Sequence, residues 1–376
     1  MHRRMFCNLL IGTMAARCLA VAPARAQSGD YQARLAQYNS VHQAYEDEAS
    51  FYWDAVVAKR RLRNAKRRAN EPIQAGDYML TQPPVYSGPP RPVDPNAPSP
   101  PPSEKPPIPV LADFLKAADE QFGFVPERPQ SELDFKRAYA KAAIAAGLTR
   151  DQIVGVYAFE TGGNGTYDMQ AGVSATRPRA ISPAIGYNQL LSTNSVSILA
   201  ESGGRILGQL RQRSKSMSGP EKIALERKIE ALKRMITFSR SVPDNWNDHD
   251  RLAKTTPGGL GIHAAILDRD IGPILQVQKL LNSVRFARAK HYDKPLTAAE
   301  LELMNLTGDG NGIDMVTMPP DLRERVPTAN FFQQSGYERN PVARRTGVVA
   351  ALLADIDGKM RQASQSPGAK DLAAAF

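Results

Sequence analysis

The chain has 376 residues, 29 prolines, two cysteines and a formal net charge of +10. This length exceeds one average domain and is sufficient to bury a sizeable hydrophobic core. Both cysteines, Cys7 and Cys18, fall within the first 26 residues, which excludes disulfides and thiol chemistry from the rest of the sequence. The positive charge favours anionic partners such as cell-wall polymer, lipid surfaces or nucleic acid.

Residues 1–26 have the pattern of a secretory signal. Two arginines precede a short apolar stretch, and the segment ends in the small-residue pattern Ala24-Arg25-Ala26. We therefore expect cleavage after Ala26 and export to the periplasm. The alternative is a membrane anchor, but the apolar stretch is shorter than the ~20 residues that span a bilayer. We expect no transmembrane segment once the signal is removed.

Residues 27–80 form a predicted N-terminal helical segment. Apolar residues recur at spacings of three, four and seven between Tyr31 and Asn70, which predicts one long helix or a helical hairpin. The segment ends in a basic run from Lys59 to Arg68, which predicts a solvated helix face or attachment to an anionic surface or an envelope assembly. No aromatic residues interleave these charges, so the run does not predict nucleic-acid binding.

Residues 81–110 form a predicted Pro-rich linker. Thirteen of the 27 residues from 83 to 109 are proline. Such a composition cannot propagate a helix and favours a semi-rigid extended spacer. We therefore expect a domain boundary in this linker.

Residues 111–376 carry helical signals almost throughout. Capping residues predict helices that begin after Ser131, Thr149 and Thr297, and Asn340 begins the last predicted helix. Sustained alternation with a period of two is absent, so we predict one mainly α-helical domain. Two acidic segments, residues 248–250 and 309–314, lack the ligand spacing of a metal site and are interpreted as a polar loop and a glycine-rich turn.

The helix that begins after Thr149 carries the candidate catalytic residue, Glu160. The spacing places Glu160 on the same face as Ile153, Val156 and Tyr157, which predicts a partly buried carboxyl. Burial raises the pKa of a carboxyl, so that it stays protonated near neutral pH and can donate to a leaving oxygen. The alternative is an ordinary glutamate beside a glycine that ends the helix.

A second segment reads Ser182-Pro183-Ala184-Ile185-Gly186-Tyr187-Asn188-Gln189-Leu190. Together with Glu160-Thr161 it resembles the motifs of the lytic transglycosylases of the lysozyme-like superfamily. Those motifs run Glu-Ser at a helix end and then Ser-x-Gly-Ala-x-Gly-Leu-Met-Gln-Leu. The chain departs from them at Thr161, at Pro183 and at Tyr187-Asn188, and the resemblance covers about residues 150 to 210.

The resemblance implies a lysozyme-like α-helical catalytic domain that acts on the glycan strands of peptidoglycan without cofactor or metal. Glu160 would be the general acid and base that cleaves the bond between N-acetylmuramic acid and N-acetylglucosamine and leaves a 1,6-anhydro-muramyl end. A tyrosine from a later helix assists the glutamate in this family; Asn330-Phe331 occupies the expected place without a hydroxyl, and Tyr337 is the substitute we predict. Further substrate-binding residues would be Thr161, Ser182, Gly186, Tyr187, Asn188 and Gln189, with Tyr187 stacking on a sugar ring.

Two other functions stay open at the level of sequence. A muramidase would hydrolyse the same bond and would need a second carboxylate, for which Asp168 is the nearest candidate. A wall-binding or assembly protein would keep the fold without catalysis. The lack of a clear second carboxylate favours the transglycosylase.

Overall fold

The computed structural model of the protein describes residues 24–94, 107–174 and 179–376, with side chains from residue 30 onward. Most of the predicted signal, residues 1–26, and the centre of the predicted linker, residues 95–106, lie outside the described residues. Within the described ranges the protein is mainly helical and has isolated antiparallel bridges but no strand. The prediction of a mainly α-helical protein is therefore confirmed.

The described helices are numbered here in chain order. They are α1 (Ala24–Arg68), α2 (Leu111–Phe122), α3 (Glu132–Ala145), α4 (Arg150–Thr161), α5 (Ser192–Lys215), α6 (Gly219–Ser239), α7 (Trp246–Thr255), α8 (Pro257–His263), α9 (Gly272–Ala289), α10 (Ala298–Thr307), α11 (Asp309–Val316), α12 (Pro320–Arg323), α13 (Gln334–Glu338), α14 (Pro341–Thr346), α15 (Val349–Ala363) and α16 (Pro367–Ala374). Short 3₁₀ helices lie at Ala75–Asp77, Ala264–Leu267 and Thr328–Phe331. The N-terminal stripe thus forms one helix and not a hairpin.

The chain divides into two compact units, and the boundary falls within α1. Of the described residues, 24–52 and 84–94 belong to the small unit, and 53–83, 107–174 and 179–376 belong to the large unit. We call residues 53–83 the arm. This division differs from the predicted one, which separated all of residues 27–80 from the domain at 111–376.

In the small unit, Tyr86 packs on a stripe of aromatic rings along α1. Its ring centroid lies 6.2 Å from that of Tyr38, 5.3 Å from that of His42 and 5.4 Å from that of Tyr45. The Tyr86 hydroxyl donates to the carbonyl of Pro89 over 2.6 Å. The first part of the predicted linker therefore packs on a helix, where its composition predicts an extended spacer.

In the large unit, the arm is held by cations of the basic run. Arg63 is 0% exposed and donates to the carbonyls of Asp77, at 2.9 Å, and Asn330, at 3.2 Å. Its guanidinium also lies 4.4 Å from the centre of the Tyr78 ring. Arg60 donates to the carbonyl of Asn330 over 3.0 Å. These arginines bind within the chain, so the predicted solvated face and the predicted surface attachment are both wrong for them.

Asn330 anchors the arm from the other side. Its amide accepts from the Met79 N–H over 2.9 Å and donates to the Met79 carbonyl over 2.8 Å. The Asn330 side chain is fully buried, and the Phe331 ring next to it packs against Tyr78. Asn330 and Phe331 therefore belong to the seat of the arm, and not to the catalytic cleft for which the sequence made them candidates.

The large unit contains two hydrophobic cores that share α9. Helix α9 contributes Val277 and Leu280 to the core around α3, α4, α10 and α15. It contributes Leu275 to the core around α2, α5, α6 and α8, which also contains its N-cap residue Ile271. Because its apolar residues face both cores, α9 forms the wall between them. Among the described residues, no helix is both long and apolar enough to cross a bilayer.

Candidate active site

Helix α4 positions Glu160 as its sequence predicts. Thr149 and Gln152 form the predicted capping box, in which each side chain accepts from the other residue's N–H, at 3.2 and 2.9 Å. Gly162 takes the left-handed conformation at φ 65° and ends the helix one residue after Thr161. Glu160 lies half-buried in the last turn, while Val156 and Tyr157 on the same face are fully buried.

Two further helices pack on α4 and enclose Glu160. Gly155 permits this approach, because a Cβ atom there would lie 2.6 Å from the Ala298 Cβ of α10 and 3.3 Å from the Met360 sulfur of α15. Ala298 begins α10, and Asn305 near its end reaches Glu160, so α10 runs parallel to α4. The C-terminal ends of α4 and α10 therefore lie next to each other at Glu160.

Glu302 of α10 is a second carboxyl beside Glu160. It is 0% exposed, and its carboxyl lies beside that of Glu160, close enough for the two groups to act on each other's pKa. The Asn305 amide nitrogen lies 2.9 Å from Glu160 Oε1 and 3.5 Å from Glu302 Oε1. We call these three residues the carboxyl cluster.

The surroundings of the carboxyl cluster favour the protonated forms. Burial raises the pKa of Glu160 to about 7, against the opposing effects of hydrogen bonds from Glu302 and Asn305 and of the Lys279 charge. Burial also raises the pKa of Glu302 well above its ordinary value, and the negative charge of Glu160 raises it further. The negative dipole ends of α4 and α10 act in the same direction on both carboxyls.

The segment from Ser182 to Leu190 forms a tight turn next to this site. The Gly186 N–H donates to the Met169 carbonyl over 3.0 Å, and the Gln189 side-chain amide donates to the Gly186 carbonyl over 2.9 Å. Gly186 has φ 80°, and Gln189 takes φ 40°, an unfavourable conformation for a residue with a side chain. Ser182 is half-buried, and its hydroxyl accepts from the Ala184 N–H over 3.1 Å.

Helix α9 brings the two motif segments together. Its Gln276 side chain accepts from the Asn188 N–H over 3.1 Å, and Lys279 lies three residues later, where its charge acts on Glu160. Residues three apart share one face of a helix and are about 5 Å apart. The Tyr187 ring of the turn also packs on the Tyr157 ring, which lies about one helical turn before Glu160 on α4. The turn at 182–190 therefore lies next to the end of α4 that carries Glu160.

Tyr187 lies in the core and cannot stack on a sugar ring as predicted. It is 0% exposed, and its hydroxyl hydrogen bonds to Glu132. Its ring centroid lies 5.3 Å from those of Phe135 and Tyr139 and 4.9 Å from that of Tyr157. The Tyr187 ring therefore packs the turn at 182–190 against α3 and α4.

Asn188 and Thr161 also serve the fold and not the cleft. Asn188 is 1% exposed; its side chain accepts from the Tyr139 hydroxyl over 2.8 Å and donates to the Gln276 carbonyl over 3.0 Å. The Thr161 hydroxyl donates to the Tyr157 carbonyl one turn back, over 2.6 Å. Both polar groups are thus occupied within the protein, contrary to the predicted binding role.

Tyr337 lies at the opposite end of α15 from Glu160. Its ring packs on Trp53 and Phe332, and its helix α13 packs on α14, which ends just before α15 begins. The last residue of α15, Ala363, meets Gly163 beside Glu160. The length of α15, about 20 Å at 1.5 Å per residue, therefore separates Tyr337 from the site.

Asp168 was the candidate second carboxylate of a muramidase, and the two acidic segments were considered as metal sites. Asp168 accepts from the Thr166 hydroxyl over 2.8 Å within its own loop. Residues 248–250 lie in α7 and residues 309–314 in α11, so the predicted loop and turn are both helical. Among the described residues, no group of three histidine, cysteine, aspartate or glutamate side chains is placed to hold a metal ion.

Sequence reasoning missed Glu302, Asn305 and Lys279. The available signal was Glu302 itself, a charged residue inside the apolar run from Leu301 to Met304, because such a residue in a buried helix requires a partner. Comparison with protein-family models, with curated proteins and with solved structures finds no match to this chain. The function proposed below therefore depends on the motif residues and on the geometry around Glu160.

Proposed function

We propose that the chain is an exported, periplasmic lytic transglycosylase of peptidoglycan, with a lysozyme-like catalytic domain and Glu160 as general acid and base. The observation that carries the proposal is the placement of Glu160. A carboxyl with a pKa raised to about 7 lies in the last turn of α4, one helical turn after Tyr157. The Tyr157 ring packs on Tyr187, which belongs to the segment that carries the motif residues Gly186 and Gln189. A group with this pKa can both donate and accept a proton near neutral pH.

The reaction needs one proton that leaves Glu160 and returns. Neutral Glu160 donates its proton to the glycosidic oxygen, the bond from that oxygen to the anomeric carbon of the muramyl residue breaks, and the N-acetylglucosamine leaves with a free 4-hydroxyl. The muramyl 6-hydroxyl then attacks the anomeric carbon and closes the anhydro ring, while its proton passes to the Glu160 carboxylate. The step consumes no water, and Glu160 ends protonated.

A muramidase is the alternative that the second carboxyl raises. In retaining and inverting glycosidases, the two carboxyls lie about 5 to 9.5 Å apart with the sugar between them. Glu302 is fully buried, and the Asn305 amide nitrogen lies within 3.5 Å of one oxygen of each carboxyl. Glu302 therefore lies beside the acid and leaves no room for a sugar between them. Asp168 is engaged with Thr166 in its loop. This arrangement supports an anhydro product over a hydrolysed one.

Digestion of purified sacculi tests the proposal. The native chain and its Glu160→Gln variant are incubated with sacculi, and the released muropeptides are identified by mass spectrometry. We expect anhydro-muramyl ends from the native chain and none above background from the variant. Reducing ends would establish the muramidase instead, and equal background release from both chains would reject both enzymes. Co-sedimentation with sacculi would then test the wall-binding alternative.

A further inference from the structure

Glu302 is a fully buried carboxyl for which the transglycosylase reaction, as written above, has no use. Its helix α10 packs on α4 and α15, and its neighbours in sequence, Leu301 and Leu303, are also fully buried. Burying an ionised carboxylate without a full set of hydrogen bonds costs several kcal/mol. A glutamate at such a position must therefore be neutral, or its negative charge must be stabilised by hydrogen-bond donors or cations.

The closeness of the two carboxyls favours a proton between them. Glu302 Oε2 is buried without a partner of its own among the described polar groups. The Asn305 amide nitrogen reaches one oxygen of each carboxyl, at 2.9 and 3.5 Å, so the two groups lie side by side. Two ionised carboxylates can only accept hydrogen bonds and repel each other, so a hydrogen on one of them stabilises the pair. The more deeply buried Glu302 is the better site for that hydrogen.

The charges that face the cluster come from three elements. Glu160 extends from α4 and Glu302 from α10, and Lys279 of α9 is the cation that acts on both. Asn305 donates its amide to Glu160 and, over a longer distance, to Glu302. One cation, one amide and one proton between the carboxyls are together sufficient to stabilise a single negative charge on the pair, but not two.

We propose that Glu302 is a positioning residue that stays protonated and donates a hydrogen bond to Glu160 throughout the reaction. The catalytic consequence rests on the proposed function, whereas the shared proton does not. When Glu160 gives its proton to the leaving oxygen, the cluster keeps the proton of Glu302 and holds one negative charge. That charge receives hydrogen bonds from Glu302 and Asn305 until the 6-hydroxyl returns the proton. Glu302 itself exchanges no proton with the substrate.

Two substitutions separate this role from simple filling of space. In Glu302→Gln, the amide still donates to Glu160 but cannot ionise. In Glu302→Leu, the volume is kept and the donor is lost. Glu324→Gln, on the exposed surface of the same unit, is the matched control. Thermal unfolding of each variant establishes that it folds.

The first measurement uses the free protein without substrate. Carbon-13 NMR of labelled glutamate carboxyls follows the titration of Glu160 and Glu302. In the native chain we expect Glu160 to titrate near pH 7 and Glu302 to stay protonated above that pH. Glu302→Leu moves the midpoint of Glu160 to higher pH because its hydrogen-bond donor is lost, and Glu302→Gln keeps it close to native. Glu160→Gln moves the midpoint of Glu302 downward, since the neighbouring charge is gone.

The second measurement is the pH profile of glycan cleavage. We expect Glu302→Leu to lower kcat/KM by roughly 10- to 100-fold, the value of one strong hydrogen bond to a charged group, and to displace the alkaline limb upward. We expect Glu302→Gln to keep most of the activity with the native limb.

Two results would overturn the proposal. The first is ionisation of Glu302 at the ordinary pKa of a glutamate in the native chain. The second is a Glu302→Leu variant with the native midpoint for Glu160. Both are read from the NMR titration, so a chain that fails to cleave glycan rejects the proposed function and leaves the shared proton to its own test.

Discussion

Glu160 is held in its neutral form by the packing around it and not by any single neighbour. Burial raises its pKa to about 7, while Asn305, Glu302 and Lys279 all favour the ionised form. Burial outweighs these three contacts, which leaves the pKa of the carboxyl close to the pH at which it can serve as both acid and base. The same balance makes the folded protein sensitive to pH.

We expect stability to fall as pH rises from about 4.5 to about 7. The folded state keeps the proton of Glu160 over this range, whereas the unfolded chain loses it near its ordinary pKa of 4.5. The folded state thus binds more protons, and raising the pH costs stability, by up to roughly 3 kcal/mol for this shift. Glu160→Gln removes the effect, so its melting temperature minus that of the native chain should increase across this range. Parallel melting curves at every pH would contradict the expectation.

Tyr187 illustrates a residue whose role follows from packing. We expect Tyr187→Phe to lower the free energy of unfolding by about 1 to 3 kcal/mol, because the half-buried Glu132 carboxyl loses the hydroxyl that bonds to it. Urea unfolding measures this loss. Binding to sacculi should stay unchanged, since the ring is fully buried. A variant that binds sacculi more weakly but has native stability would show that Tyr187 contacts the sugar, as the sequence predicted.

At the scale of helices, the capping signals in the sequence were reliable, whereas the polar and glycine-rich signals at residues 248–250 and 309–314 were not, because both segments are helical. The capping residues Thr149 and Thr297 form the predicted capping boxes, and Gly162 ends α4 where expected. The last predicted helix, which begins after Asn340, is interrupted at Gly347. There α14 ends at Thr346, and α15 begins as a separate helix at Val349. Capping and periodicity are properties of neighbouring residues, which explains why they could be predicted from one sequence.

The partners of each helix could not be predicted in this way. The basic run of α1 has the period of an exposed helix face, yet Arg63 is fully buried because Tyr78 and the Asn330 carbonyl come to it from elsewhere in the chain. Glu302 lies 142 residues from Glu160 in the sequence, as the numbering shows, and no local pattern links the two. Both cases depend on contacts between distant segments, for which a single sequence carries no signal.

Arg63 is the test of the arm. We expect Arg63→Met to lower the free energy of unfolding by roughly 3 kcal/mol, because the buried carbonyls of Asp77 and Asn330 lose a charged donor. Amide hydrogen exchange over residues 53–83 should accelerate in parallel. Lysine should not restore stability, since one ammonium cannot reproduce the fork of the guanidinium. Arg61→Met, at an exposed neighbouring position, is the control and should behave as the native chain.

At the scale of the molecule, the large unit is not the domain that composition delimits. The proline-rich stretch marks a boundary by its sequence, but residues 53–83 pack with the residues that follow it. The predicted domain at 111–376 lacks the arm. A proline-rich composition indicates where a chain cannot form a helix. It carries no information about which preceding segment, here residues 53–83, packs on the domain that follows.

We expect a chain that begins at residue 111 to melt well below the full chain. Without the arm, the Asn330 amide loses Met79, and the buried Phe331 ring loses Tyr78. A synthetic peptide of residues 53–83 should bind this truncated chain and raise its melting temperature in proportion to concentration. Equal melting temperatures of the truncated and full chains, with no effect of the peptide, would show that the arm contributes nothing.

The seat of the arm also sets an order of events during synthesis. Arg63 and Asn330 are 267 residues apart in the chain, so the hydrogen bond between them closes a very long loop. Contacts of such separation form late, since the entropy of loop closure must be met first. The arm is synthesised early, so Tyr78, Arg60 and Arg63 lack their partners Asn330 and Phe331 until the last quarter of the chain has been synthesised. The proposed export would gain from this delay if the chain crosses the membrane unfolded, because the chain would still be incompletely folded when it reaches the membrane.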